Sequence, residues 1–177
     1  MLLRGVNLGA RNRVAMASLR EELAAAGFEH VSTYLESGNV VLSSAAPEQR
    51  LARRVKRLLA ERFELDVAVI VRTRDQLAEV VARDPLGETA HDPKRYQVSF
   101  LEREPDRALV DRVAALAAGS ERLLAIGREL YAWHPEGIAR SKLSTALAAP
   151  SLGIPSTARN WSTVTSLLAL AGEDPSA

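Results

Sequence analysis

The sequence predicts an α+β protein, built as two ferredoxin-like (α/β-plait) subdomains packed as one globular unit. Three observations carry that expectation. Short runs rich in β-branched residues alternate with amphipathic helical segments. The first half reads βαββαβ, the order of a split βαβ unit. The second half then repeats most of that order. With 47% hydrophobic and 25% charged residues, the composition is that of a globular chain. A length of 177 residues leaves each half only a modest core.

The elements follow in order. Met1–Arg4 is apolar and short and reads as the end of a strand, followed by a loop over 5–15 with Gly5, Asn7, Gly9 and Asn12 as turn-formers. Met16, Leu19, Leu23 and Ala26 recur at helical spacing, with Gly27 as the stop. Residues 30–35 and 39–43 form a hairpin around Glu36-Ser37-Gly38. A helix over 47–63 starts at a favourable proline and buries Leu51, Val55, Leu58, Leu59 and Phe63. A strand at 66–72 completes the first half, and a helix at 74–83 follows. Pro85, Gly87 and Pro93 mark a linker at 84–94, so the expected division is 1–83 and 95–177. The second half continues with a strand at 95–101, a helix at 105–118 and a hairpin of 122–126 with 129–133 around Gly127-Arg128. A short helix from Ser141 and a longer one over 158–171 come next, with the last strand of the repeat unassigned. Residues 172–177 read as a tail. A ferredoxin-like first strand is central in its sheet, yet only Met1, Leu2 and Leu3 precede Arg4. Either that strand is very short, or the natural start lies upstream of Met1.

A formal charge of +1 names no acidic partner on global grounds. Among the cations, 20 are Arg and three are Lys: Lys56, Lys94 and Lys142. The absence of cysteine excludes disulfides, thiolate nucleophiles and Cys-ligated metals. His30, His91 and His134 show no ligand spacing. No apolar run approaches the ~20 residues of a membrane span, and no signal peptide is visible, so a cytoplasmic protein is expected.

Four polar clusters stand out. Arg4-Gly5-Val6-Asn7, with Arg11, Asn12 and Arg13, lies between a strand and a helix start, where backbone N–H groups favour an anion. It has neither the P-loop ending nor the dinucleotide fingerprint, and an ordinary turn with solvated arginines is the plain alternative. Glu36-Ser37-Gly38-Asn39 reads by itself as hairpin turn chemistry. In Arg140-Ser141-Lys142-Leu143, Ser141 is a credible N-cap, whereas Lys142 opposes the helix dipole in the first turn. The Ser-x-x-Lys acyl-transfer spacing is absent. In Thr157-Ala158-Arg159-Asn160-Trp161, Ser156 or Thr157 is expected to cap the last helix. That places Arg159 and Asn160 in its first turn, with Trp161, Val164, Leu168 and Ala171 buried. The outer face of the 47–63 helix is basic through Arg50, Arg53, Arg54, Lys56, Arg57 and Arg62. The strands lack the aromatics of an RNA-recognition motif.

Taken together, the Leu2–Gly9 opening, Met16-Ala17-x-Leu19, Thr33–Val41, Gly127-Arg128, Ser141-Lys142-Leu143 and Thr157–Val164 resemble the bacterial family of domain of unknown function 1697. The resemblance spans nearly the whole chain and implies two α/β-plait subdomains, with no established activity, substrate or cofactor. Glu36 stands where that family usually has Gln, Ala10 where Gly is frequent, Arg13 where Lys is frequent, and Ser162 where Asn is common. Family members typically begin several residues further upstream, in keeping with a start before Met1.

The leading expectation is binding of a small anion, a nucleotide or phosphorylated metabolite. Its site would gather Arg4, Asn7, Arg13, Ser37, Asn39, Lys142, Arg159 and Asn160 into a cationic, amide-rich cleft between the halves. The alternatives are nucleic-acid association through the basic helix 47–63, metal-free enzymatic chemistry with Lys142 or Glu36 as acid/base, and a structural or partner-binding protein with no ligand.

Overall fold

The chain is described by a computed structural model covering residues 1–8 and 12–172. Its N-terminal elements are β1 (Leu2–Leu3), α1 (Met16–Ala25), β2 (Glu29–Tyr34), β3 (Asn39–Ser43), α2 (Glu48–Phe63) and β4 (Val69–Ile70). The helix α3 (Arg74–Arg83) leads to β5 (Tyr96–Leu101), α4 (Arg107–Ala114), β6 (Arg122–Ile126), β7 (Glu129–Trp133), α5 (Lys142–Ala148), β8 (Ser156–Asn160) and α6 (Trp161–Gly172). The chain divides into two compact units. Met1–Arg74, with the end of α6 from Leu167, makes the first; Asp75–Ser166 makes the second. The expected linker 84–94 lies inside the second unit.

Each unit carries one four-stranded antiparallel sheet, of order β2-β3-β1-β4 in the first and β6-β7-β5-β8 in the second. Renumbered within each unit, the two orders are the same, and both follow βαββαβ. The α+β, twofold ferredoxin-like architecture is therefore present, and the strand left unassigned in the second half is β8.

In the first unit α1 and α2 cover one face of the sheet. Met16, Leu19 and Leu23 of α1 and Leu51, Val55, Leu58 and Leu59 of α2 bury against Leu3, Val40 and Val69. A fully buried leucine contributes ~1.5–3 kcal/mol relative to exposure, and Leu19, Leu23 and Leu59 are each 0% exposed. The chain leaves α1 through Gly27 at φ +81°, the stop expected from sequence. In the second unit Leu109 and Val113 of α4 and Leu143 and Leu147 of α5 cover Leu101, Leu130 and Ala132.

Several expected boundaries move. The 66–72 strand contracts to Val69–Ile70, and the 105–118 helix to Arg107–Ala114 behind Asp106, whose carboxylate accepts the Leu109 N–H at 2.7 Å. The larger correction concerns 158–171. Ser156–Asn160 is strand, paired along β5 from Leu101↔Ser156 to Gln97↔Asn160, and the helix begins only at Trp161. Neither Ser156 nor Thr157 caps it. Asn160 does, its Oδ1 accepting the Thr163 N–H at 2.9 Å and the Ser162 hydroxyl at 3.0 Å. Local propensity over 156–160 is indifferent, and the open edge of β5 decides it.

The tightest point of the first sheet is Gly38, at φ +74° in the β2–β3 turn. A Cβ there would lie 2.8 Å from the Leu3 Cβ and 3.2 Å from the Val6 Cβ. Gly38 O meanwhile accepts the Leu3 N–H at 2.8 Å, so turn and strand are held at contact distance. Gly38→Ala combines positive-φ strain with a backbone-level clash and is expected to lose at least ~2 kcal/mol. For a chain of this length that is a fall of roughly 4–8 °C in melting temperature. A variant as stable as the wild type would show that the turn can retreat from β1.

Candidate functional sites

Two of the polar clusters meet in the first unit. Asn7 sits at φ +56°, a conformation asparagine tolerates better than most residues. Its Oδ1 accepts the Val14 N–H at 2.9 Å, and its Nδ2 donates to Val14 O at 2.8 Å and to Glu36 O at 2.8 Å. The Asn7 N–H is also used, donating to Asn12 O at 3.0 Å. One side chain thus closes the loop after β1 and ties it to the hairpin turn. Asn39 is 0% exposed and donates to Tyr34 O at 2.9 Å and to Ser37 Oγ at 3.0 Å, closing that turn from inside. Glu36 takes part through its backbone carbonyl, so the Gln-to-Glu difference leaves this bond intact. Arg4 is half-buried, its N–H bonded to Ala68 O at 2.9 Å, and Arg13 is exposed. Gly9, Ala10 and Arg11, together with the tail 173–177, lie outside the described residues.

The second unit holds the other three expected residues. Lys142 is exposed on the first turn of α5. Arg159 is buried in β8 opposite Val98, donating from Nη1 to Thr157 Oγ1 and Ala158 O, both at 2.7 Å. Burial pushes its guanidinium down to about 10, which leaves it charged at neutral pH. Asn160 is the α6 cap described above. Five expected residues therefore lie in the first unit and three in the second. The side-chain amides of Asn7, Asn39 and Asn160 all bond within their own units.

A buried cluster in the second unit was not expected from sequence. His134, 0% exposed, places Nδ1 2.8 Å from Glu121 Oε1, while Glu121 Oε2 accepts the Ala118 N–H at 2.9 Å. Ser141 caps α5 as expected, accepting the Ser144 N–H at 2.9 Å, and its hydroxyl also donates to Glu121. Burial works to raise the Glu121 carboxyl, but these hydrogen bonds outweigh it and hold the group below the ordinary carboxylate range. The signal was available in the sequence. A two-residue turn at Gly127-Arg128 pairs Arg122 with Trp133, and one further step sets Glu121 opposite His134. Nearby, Tyr96 stacks on Trp161 at 4.7 Å, a packing role for that indole. Burial and the Asp84 carboxylate raise the Tyr96 phenol, and burial and Glu129 push Tyr131 up to about 12, so both stay protonated at neutral pH.

The first unit also carries a groove of about 520 Å³ lined by Phe28, the Ser44–Pro47 segment, Arg50, Leu51 and Arg54. Arg54 lies 4.3 Å over the Phe28 ring and donates to Ala26 O, so it forms a wall. Along α2, Arg50, Arg53, Arg54 and Arg57 fall on one stripe at i, i+3, i+4 and i+7. Lys56 pairs with Asp66 at 3.0 Å and Arg62 with Glu22 at 3.3 Å, both at the surface. Arg50, Arg53 and Arg57 are exposed, and their guanidinium groups make no hydrogen bond or ion pair among the described residues. The basic run was legible in the sequence. The groove was not, because Phe28 comes from the connection between α1 and β2, well before α2 in the chain. Among the described residues no group of His, Asp and Glu is arranged to hold a metal ion, and no helix is long and apolar enough to cross a membrane.

Residues 1–131 match the family described as protein of unknown function (DUF1697). The chain belongs to that family. The matched segment contains the Asn7 and Gly38 arrangement and most of the β6–β7 hairpin; the Ser141 and Thr157–Trp161 motifs lie beyond it. Among solved structures the fold is similar to that of the conserved bacterial protein SP0830 from Streptococcus pneumoniae. That similarity has a TM-score of 0.73 and 22% identity over 96% of each chain. No curated protein matches the chain.

The Glu121 cluster predicts a pH dependence with a definite sign. Its folded-state value lies below the unfolded one, so the stabilisation is complete above the unfolded carboxylate value of ~4.3. It is lost as pH falls through the folded value. Urea midpoints measured from pH 7 to pH 3 should fall more steeply for the wild type than for Glu121→Gln. Parallel curves would mean that Glu121 contributes nothing to acid stability.

Proposed function

We propose that this family member binds a small phosphate-bearing ligand, a nucleotide or phosphorylated metabolite, in the groove at the start of α2. The observation that carries the reading is Arg50. It stands in the first helical turn, where a cation opposes the dipole, yet its guanidinium makes no bond among the described residues. An anion at that position would satisfy both the guanidinium and the helix N-terminus. Ala45, Ala46 and Leu51 offer an apolar wall beside it, and the volume is in the range of small-molecule sites. The small-anion class expected from the sequence is kept, but its carriers become the arginines of α2. Asn7 and Asn39 serve this reading only indirectly, by holding the sheet on which α2 packs.

A second reading is favoured by one observation: the unpaired cations continue beyond the groove through Arg53 and Arg57. A stripe of that length suits a nucleic-acid backbone, and salt dependence distinguishes the two readings.

The test is a thermal-shift panel of inorganic phosphate, nucleotides, sugar phosphates and short DNA and RNA, on wild type and Arg50→Ala. A groove ligand at one hundred times its Kd should add ~2.7 kcal/mol, a rise of roughly 5–10 °C. That rise should vanish in Arg50→Ala while the unliganded melting temperature stays within about 1 °C, because the exposed Arg50 side chain makes no bond among the described residues. A rise with every polyanion, abolished by moderate salt and by Arg53→Ala or Arg57→Ala, moves the assignment to the second reading. A ligand-induced rise that survives Arg50→Ala removes the groove from consideration.

A further inference from the structure

The outer edges of the two sheets are not protected alike. Edge strands expose unpaired N–H and C=O groups, and proteins blunt them with bulges, charges, short strands or cover. In the first sheet, β2 carries a register shift between Glu29 and Ser32, exposed Glu29 and His30, and a positive φ of 51° at His30. The opposite edge, β4, is two residues long. In the second sheet, β8 is largely buried. The remaining edge, β6, has no bulge and is not short, and its one charge, Arg122, sits at its first residue. Its five residues, Arg122-Leu123-Leu124-Ala125-Ile126, run in unbroken register with β7, and all but Arg122 are apolar. Leu124 is 43% exposed, Ala125 is exposed, and the backbone of β6 bonds only to β7 among the described residues.

The ladder shows which groups face outward. Leu101 N donates to Arg128 O at 2.9 Å and His134 N to Arg95 O at 3.2 Å, so the even-numbered residues of β7 bond toward β5. Alternation along an antiparallel strand then directs Glu129, Tyr131 and Trp133 toward β6. Their partners Ile126, Leu124 and Arg122 spend their backbone groups inward. The N–H and C=O of Leu123 and Ala125 therefore point away from the sheet, unpaired.

We infer that β6 is a homodimerisation edge, occupied by β6 of a second copy of this chain, antiparallel about a twofold axis at Leu124. The strand's own pattern selects that occupant. With Leu124 on the axis, Leu123 of each copy meets Ala125 of the other, and these are the residues whose backbone groups face outward. The same register makes Leu124 a non-hydrogen-bonded pair, the position where facing side chains approach most closely. Arg122, the strand's one charge, falls opposite Ile126 of the second copy, so no like charges face each other within the strand pair. The second unit's sheet becomes one continuous eight-stranded sheet, and the apolar exposure at Leu124 and Ala125 is covered.

Sedimentation equilibrium of the full chain over a concentration series tests this. The wild type should pass from the mass of one chain to that of two. Leu124→Lys and Leu124→Glu each set like charges across the axis and should weaken the dimer by at least about tenfold. An equimolar mixture of the two should restore it as a heterodimer. Ala125→Pro removes an outward N–H without touching the β7 ladder and should also yield monomers, so the test survives if a charged variant fails to fold. A wild type that stays monomeric throughout overturns the inference, as does a dimer that persists in Leu124→Lys or Ala125→Pro.

Discussion

The first unit is organised around the contact between its central strand, β1, and the hairpin turn at Gly38. β1 (Leu2–Leu3) lies between β3 and β4. Bonds on either side of it add to its ladder. The terminal amine donates to Val40 O at 2.6 Å, Val40 N to Met1 O at 3.0 Å, Leu3 N to Gly38 O at 2.8 Å and Arg4 N to Ala68 O at 2.9 Å. These bonds need the hairpin turn pressed onto β1, and only a residue without Cβ permits that approach at position 38. Asn7 then holds the following loop against the same turn. The polar residues near the start of the chain are in this sense the continuation of β1 by other means.

That requirement changes the meaning of the motifs. A run such as Arg-Gly-Val-Asn ahead of a helix suits an anion cradle, and a turn such as Glu-Ser-Gly-Asn could present ligand-binding groups. Here their amides meet backbone atoms of the same unit. Once an amide has filled its hydrogen-bonding capacity internally, a ligand must displace those bonds to use it, at a cost comparable to its gain. Arg50, Arg53 and Arg57 carry no such commitment among the described residues, and are solvated on one helical stripe.

What could be read from the residues follows the range of the interaction that decides each feature. Both hairpins were legible because turn chemistry is local, and α1 and α2 because their apolar spacing is regular. The strand at 156–160 was not, since its identity comes from pairing with β5, about 60 residues earlier in the chain. With the strand went the cap: Ser156 and Thr157 are good capping residues by type, yet Asn160 is the one at the helix start. Asn7 was legible as important but not as a clamp, because its partner is a carbonyl 29 residues away. The Glu121–His134 pair stood in between, derivable from the register of a hairpin whose turn was already assigned. The Phe28 wall of the groove depended on tertiary packing alone.

Native-state amide hydrogen exchange in the wild type and in Asn7→Ala tests most directly whether the motif residues hold β1 in its sheet. Loss of the clamp should speed exchange at Leu3, Arg4 and Val40 by more than tenfold, while the α2 amides change little beyond any global loss of stability. Unchanged protection at those three amides, in a variant that nonetheless loses a bound phosphate ligand, would contradict the account and return Asn7 to the binding site.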